Sequence, residues 1–262
     1  MSTTTFIVQI YLDYDFGESV KWTVGARRKG AKRYDVGPEW VRSRIKFFEK
    51  YTLKSLLNQY FQDFRIFLIC GLKYREITES HCWHSKVELC YDEGRSRYTA
   101  IDTDYICITR IDSDDLMHCA AMSEVREKWF PGEKRGYLVW RKNFQWHQTH
   151  LLLLDHIRLS PPFFTNIFPK AIYKNWDIFY KQHFVRHRYA GGRKKEFIEL
   201  SPRKICVIKH PLNVSRLRLG KQMRPMNDGK KASLKKAGFL HESERAKIAI
   251  RLEPFGVLPE DV

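Results

Sequence analysis

Asp104-Tyr-Ile-Cys-Ile-Thr-Arg-Ile-Asp-Ser-Asp-Asp-Leu-Met117 decides how the chain is read. Its first half, Tyr105 to Ile111, is apolar and rich in β-branched residues, the composition of a buried strand. The strand runs into Asp112, Ser113, Asp114 and Asp115, three carboxylates within four residues. Behind them Leu116, Ala120, Ala121 and Val125 recur at roughly helical spacing, which predicts a following helix. Carboxylates at the carboxyl end of a buried strand lie where open α/β sheets bind ligands. Two Asp at i and i+2 suit one hard divalent cation that keeps waters and takes other ligands from substrate phosphates. The same acids also suit a plain helix start, with Asp115 as the N-cap. Spacing excludes a calcium loop: counted from Asp112, the required Gly falls on Met117 and the terminal Glu on Ser123. Mutual repulsion of the three acids predicts that Asp114→Asn leaves stability almost unchanged.

Outward from this stretch the pattern alternates strand and helix. Phe6 to Leu12 reads as a first strand. Residues 13–38 form a polar insertion with Arg27-Arg-Lys29 and Lys32-Arg33, either a solvated loop or a flap over an anionic ligand. Gly37-Pro38-Glu39 marks a helix start. Val41, Ile45, Phe48, Thr52 and Leu56 give that helix one apolar face. Phe64 to Cys70 is a second strand and Val87 to Tyr91 a third. Strand, helix, strand implies a βαβ unit and a parallel sheet. After Pro131-Gly132, Tyr137 to His147 alternates aromatic and polar residues, as a half-exposed antiparallel strand does. Phe163 to Tyr180 is aromatic-rich and reads as a cover over a pocket or core edge. Lys204 to Lys209 is the last strand. The expected fold class is α/β: a mixed, mainly parallel sheet flanked by helices, with an antiparallel C-terminal portion.

With 43% hydrophobic and 14% aromatic residues, the 262-residue chain can bury a substantial core and is not disordered. The formal charge of +17 is local: residues 186–251 hold 19 Lys/Arg against 5 Asp/Glu. That asymmetry points to an anionic partner on one face. Residues 220–262 are expected to be a basic, peripheral tail, with a surface helix between Leu234 and Ile250. The six cysteines form no CxxC pair, and Cys70, Cys107 and Cys206 lie in strand-like runs. This usage fits a reducing compartment without disulfides. His81-Cys82-Trp83-His84 is a zinc half-site with no partner pair at finger spacing. Asp13 and Asp15 interrupt the first apolar run, unlike a signal peptide. Leu151 to Leu154 is too short to span a bilayer. The expected location is cytoplasmic, with the basic stretch allowing peripheral membrane contact.

Three pieces carry a resemblance: the first strand; Trp40-Val-Arg-Ser-Arg-Ile-Lys-Phe-Phe-Glu-Lys-Tyr-Thr-Leu-Lys-Ser-Leu-Leu-Asn-Gln59; and Thr109-Arg-Ile-Asp-Ser-Asp-Asp115. In this order they resemble the GT-A class of nucleotide-sugar glycosyltransferases, and within it most nearly a rhamnosyltransferase family. The similarity spans residues 6–216, within an expected GT-A-like domain over 1–219. It implies that Asp112 and Asp114 hold Mn2+ or Mg2+ against the diphosphate of a nucleotide-sugar donor. Asp115 would support them or meet the sugar. His210 stands where such folds add a late metal or phosphate contact; it reads equally as a satisfied strand-end histidine. Arg110 would bind the donor as a cation beside the leaving group, or pair with Asp112 or Asp114. Asp155 and Asp177 both follow the turn as candidate catalytic bases, and Asp155 is the one carried forward. The chain departs from the pattern at Cys70-Gly71, where relatives place an Asp that reads the nucleotide base.

The leading expectation is therefore metal-dependent sugar transfer to an acceptor of unnamed chemistry: an anionic glycan, a lipid surface or nucleic acid. The alternative is a basic nucleic-acid-binding protein without transferase activity, although its C-terminal third shows no nucleic-acid motif.

Overall fold

The computed structural model describes residues 2–13, 37–132, 136–148, 152–157, 163–183, 197–210 and 245–262. In chain order the first elements are β1 (Thr4–Tyr11), α1 (Pro38–Phe47), α2 (Lys54–Leu57), β2 (Arg65–Ile69), α3 (Arg75–Glu79), β3 (Val87–Cys90), α4 (Arg95–Ala100) and β4 (Tyr105–Asp112). A π-helical segment, Phe48–Leu53, joins α1 to α2. Then come β5 (Asp115–Met117), α5 (Ala121–Lys128), β6 (Gly136–Val139), β7 (Lys142–His147), β8 (Leu152–Ile157) and β9 (Phe164–Pro169). The last are α6 (Lys170–Tyr173), α7 (Trp176–His183), β10 (Ile198–Glu199), β11 (Ile205–Lys209) and α8 (Arg245–Leu252).

A seven-stranded sheet in the order β10-β6-β9-β4-β1-β2-β3 forms the centre. β3, β2, β1 and β4 are parallel neighbours, while β9 is antiparallel to both β4 and β6. The near-continuous apolar runs of β1 and β4 follow from cover on both faces. On one face Phe6, Val8, Ile10, Cys107 and Ile111 meet Val41 and Ile45 of α1 and Met122 and Val125 of α5. On the other, Ile7, Ile106 and Ile108 meet Tyr98 of α4, Tyr173 of α6 and Phe179 of α7. The expected mixed, mainly parallel α/β sheet with helices on both faces is thus the fold of this chain.

A second, four-stranded sheet runs β5-β11-β7-β8. β11 is antiparallel to β5 and parallel to β7, and β7 is antiparallel to β8. Its outer face meets a second core containing Tyr51, Trp146, Ile208 and, from the C-terminal segment, Ile248, Leu252, Phe255, Val257 and Val262.

Four expectations need correction. Leu116 belongs to β5, and α5 begins only at Ala121. The run Tyr137–His147 is two strands in two different sheets, broken at Trp140-Arg141. Phe163–Tyr180 is a cover only in part: β9 is an interior strand of the main sheet, whereas α6 and α7 after it lie over one of its faces. Residues 245–262 are not a peripheral tail, because their apolar side chains complete the second core. The insertion over 14–36, most of the basic stretch and residues 211–244 lie outside the described residues.

Candidate functional site

The strand order reverses between β1 and β4: β2 and β3 lie to one side of β1, β4 to the other. Open α/β sheets bind ligands at such a switch point, outside the carboxyl ends of the strands. Here those ends are Tyr11 and Asp112, paired in register. Asp112 is half-buried as the last residue of β4, and the chain then turns through buried Ser113 and Asp114 into β5. Oxygens of Asp112, Asp114 and Asp115 all lie within 4.8 Å of one another.

Each acid has a different setting. Asp114 Oδ2 accepts from Arg44 Nη1 at 2.7 Å and from His210 Nε2 at 3.0 Å. Arg44 also donates through Nε to Ser113 Oγ at 2.9 Å. Phe47, three residues beyond Arg44 and therefore on the same helix face, stacks on the His210 ring at 4.1 Å and 22°. Burial alone would push the Asp114 carboxyl up. The Arg44 charge and the bonds from His210 and Arg44 outweigh it and hold the group well below the usual carboxylate range. Asp115 Oδ1 accepts the Ile208 backbone N–H at 2.9 Å. Burial, then the charges of Asp114 and Asp112, push its carboxyl well up. Burial also raises Asp112, against the opposing charge of Arg110.

The turn is braced from behind by the helix that carries Arg44. Ser55 Oγ accepts the Met117 N–H at 3.1 Å. Gln59 Nε2 donates to the carbonyls of Ser55 and His118, both at 2.9 Å, and Gln59 Oε1 accepts the Met122 N–H at 3.0 Å. The Ser-x-x-x-Gln spacing of the resemblance thus has a physical role, which is to fix the backbone leaving the acids.

The structure brings His210 to Asp114 across a separation of 96 residues. It meets that carboxylate as a hydrogen-bond partner, while the converging oxygens come from the three Asp. Arg110 lies over the Tyr11 ring at 4.8 Å, and Arg44 rather than Arg110 holds Asp114. Asp155 is not brought to the turn. It is exposed on β8 and paired with Arg203 through two contacts of 2.8 Å. Through Phe144 and Cys206 it stands in register with Leu116. That places it three strands away, roughly 14 Å at ordinary strand spacing. Asp177 is exposed on α7. The helix-start reading of the acids fails, since α5 has Ala120 as its N-cap and Asp115 is a strand residue. The zinc half-site is otherwise engaged: His81 Nε2 meets Glu49 Oε1 at 2.7 Å, and His84 Nδ1 accepts the Lys86 N–H at 3.1 Å.

Arg44 is the site residue that sequence reasoning misses. Its signal is a charge flanked by Val41, Ile45 and Phe48 on the apolar face of a helix. A buried arginine needs an anion, and the acids at 112–115 are the densest anionic run near the core.

No family model matches the chain, and no curated protein matches it. Among solved structures it is similar to the inositol-1-phosphate CTP transferase from T. maritima at TM-score 0.41 and 10% identity, covering 84% of this chain and 96% of that one. A likeness at that level assigns nothing, and the fold rests on the strand order and register given above. Among the described residues, no helix is long and apolar enough to cross a membrane.

Proposed function

We propose that the acidic turn is the donor site of a nucleotide-utilising transferase, and that the group moved is a sugar from a nucleotide-sugar donor. The observation that carries this reading is the convergence of three carboxylates at the carboxyl end of the central strand, beside the reversal in strand order. The donor set consists of hard oxygens, which fits Mg2+ or Mn2+ and not a thiophilic metal. Asp114 already gives Oδ2 to Arg44 and His210, which leaves its other oxygen for an ion.

Cleavage of the sugar–phosphate bond releases a nucleoside diphosphate with growing negative charge. Asp112, Asp114 and Asp115 would hold a divalent ion, which would supply Lewis-acid charge to that leaving group. The chain's own residues supply preorganisation. Arg44 and His210 fix Asp114, the Ile208 N–H fixes Asp115, and Ser55 with Gln59 fixes the backbone behind them. Charge placed in this way needs no rearrangement as the leaving group departs. Half-buried Asp112 is the acid most open to a ligand. Asp115, buried and bonded to β11, fits holding the turn rather than meeting an acceptor.

The test is release of nucleoside diphosphate from a panel of nucleotide sugars, with and without Mn2+. Wild type is expected to hydrolyse one donor slowly and only with metal. Asp112→Asn is expected to slow it by about a hundredfold, the scale on which losing one transition-state contact acts. Release that is absent for every donor, or equal with and without metal, would sink the proposal.

A further inference from the structure

β11 carries a cation that the site as described leaves unused. Its residues alternate between two cores. Cys206 and Ile208 face the second core, with the C-terminal segment. Ile205 and Val207 face the main core. Lys209 continues the set of Ile205 and Val207, because side chains two apart on a strand share a face. It therefore extends past the last apolar residue of that face toward the ends of the main sheet, where Asp112 lies. Its chain neighbours are both anchored to the turn: the Ile208 N–H on Asp115 and the His210 ring on Asp114. Lys209 is half-buried, and its positive charge reaches both Asp112 and Asp115. Among the described residues it makes no salt bridge, unlike Arg44 at 2.7 Å from Asp114. The ammonium thus lies within electrostatic reach of the acids, with no ion pair to them among the described residues.

We infer that Lys209 is a phosphate-binding residue, whose ammonium contacts the diphosphate of the donor. The inference rests on the donor-site reading above. A lysine suits this role as a compact point charge with three donors on a flexible stem. Arg44 is less suited, since its Nε and Nη1 are committed to Ser113 and Asp114. In the absence of donor, Lys209 lowers the local excess of negative charge. With donor bound, the phosphate oxygens take its hydrogen bonds.

Inorganic pyrophosphate with Mn2+ is the probe, because it carries the diphosphate without a base or sugar. Binding is measured calorimetrically on the full chain for wild type, Lys209→Met and Lys209→Arg, together with the binding of Mn2+ alone. Wild type is expected to bind Mn2+-pyrophosphate. Lys209→Met should weaken it about tenfold or more, the loss of one charge-assisted hydrogen bond. Lys209→Arg should recover most of the loss. Mn2+ alone should bind Lys209→Met as tightly as wild type or more tightly, because a repelling cation is gone, and this arm also shows that the acids remain assembled. Equal pyrophosphate affinity in wild type and Lys209→Met overturns the assignment of Lys209 and leaves the donor-site reading standing. Failure of wild type to bind pyrophosphate with Mn2+ overturns both.

Discussion

Asp114 and Asp115 are adjacent, chemically identical and both buried, yet the fold treats them in opposite ways. Asp114 is held low by Arg44 and His210, whereas Asp115 is pushed up by burial and by the other two acids. An acid whose folded value is depressed stabilises the fold above its unfolded value of about 4, and loses that contribution as pH falls toward the folded value. An acid whose folded value is raised adds a penalty that grows as pH rises past about 4. The same isosteric change should therefore have opposite signs at neighbouring positions. Asp114→Asn leaves the Arg44 guanidinium buried without its counter-charge and should cost roughly 3 kcal/mol at neutral pH. This reverses the expectation that relief of repulsion would make it harmless. Asp115→Asn keeps an oxygen to accept the Ile208 N–H and removes the penalised charge. It should be neutral or stabilising at pH 7, with an advantage that shrinks as the solution is acidified. Urea melts of both variants from acid to neutral pH decide this, and a stabilised Asp114→Asn would remove Arg44 from the account.

At the scale of elements, the helix running from α1 through the π-helical segment to α2 organises the site. Its first part delivers Arg44 to Asp114, and its end delivers Ser55 and Gln59 to the backbone after β5. In between, Phe48 faces the main core and Tyr51 the second. Gln59→Leu fills similar space but strands the buried Met122 N–H, at about 1–3 kcal/mol for a buried group left unpaired, while the His118 carbonyl keeps the Ala121 N–H at 2.8 Å. It should also loosen the turn and weaken Mn2+ binding, although Gln59 touches none of the acids. Unchanged melting and unchanged Mn2+ titration would show that the brace is dispensable. The same scale shows what is legible in the sequence. β1, β2, β4 and the long helix are, because continuous apolar runs and an apolar stripe leave few alternatives. The acidic turn is also legible, since charge so close to a buried strand needs a reason. β9 is easily misread, because its buried centre is Thr165-Asn166. Thr165 is satisfied by the Thr109 hydroxyl at 2.7 Å, a partner 56 residues away that no local pattern signals. The break at Trp140-Arg141 is hidden because the apolar run of β6 passes into the alternating β7 with no Gly or Pro between them. Arg44 and Lys209 escape notice because helical and strand spacing show which face a residue occupies, not what tertiary contact waits there.

For the whole molecule, the C-terminal segment is the unexpected structural part. Ile248, Leu252, Phe255, Val257 and Val262 are buried against the second sheet. Asp261 ties the segment to the central helix through Lys50 at 2.9 Å and Lys54 at 3.6 Å. Each fully buried aliphatic or aromatic side chain is worth about 1.5–3 kcal/mol. Together the five match the total stability of an ordinary domain, about 5–15 kcal/mol. Removing residues 245–262 should therefore yield insoluble protein, or protein whose second sheet has lost its hydrogen-exchange protection. A soluble truncation with wild-type melting would restore the peripheral reading for these residues.

The path of the chain between the two sheets bears on how the protein is made. From β4 onward it passes to the second sheet at β5, returns for β6, leaves for β7 and β8, returns for β9 and β10, and leaves again for β11. β9, the strand that covers the edge of β4, is therefore synthesised long after β4 itself. β11, which joins β5 to β7, comes later still. A nascent chain emerging from the ribosome as far as β8 carries a parallel sheet with an open apolar edge and a second sheet with its middle strand missing. Such exposed edges template wrong pairings, and contacts this distant in sequence close slowly. Slow translation through residues 112–163 should raise the aggregated fraction, and chaperones that shield strand edges should lower it.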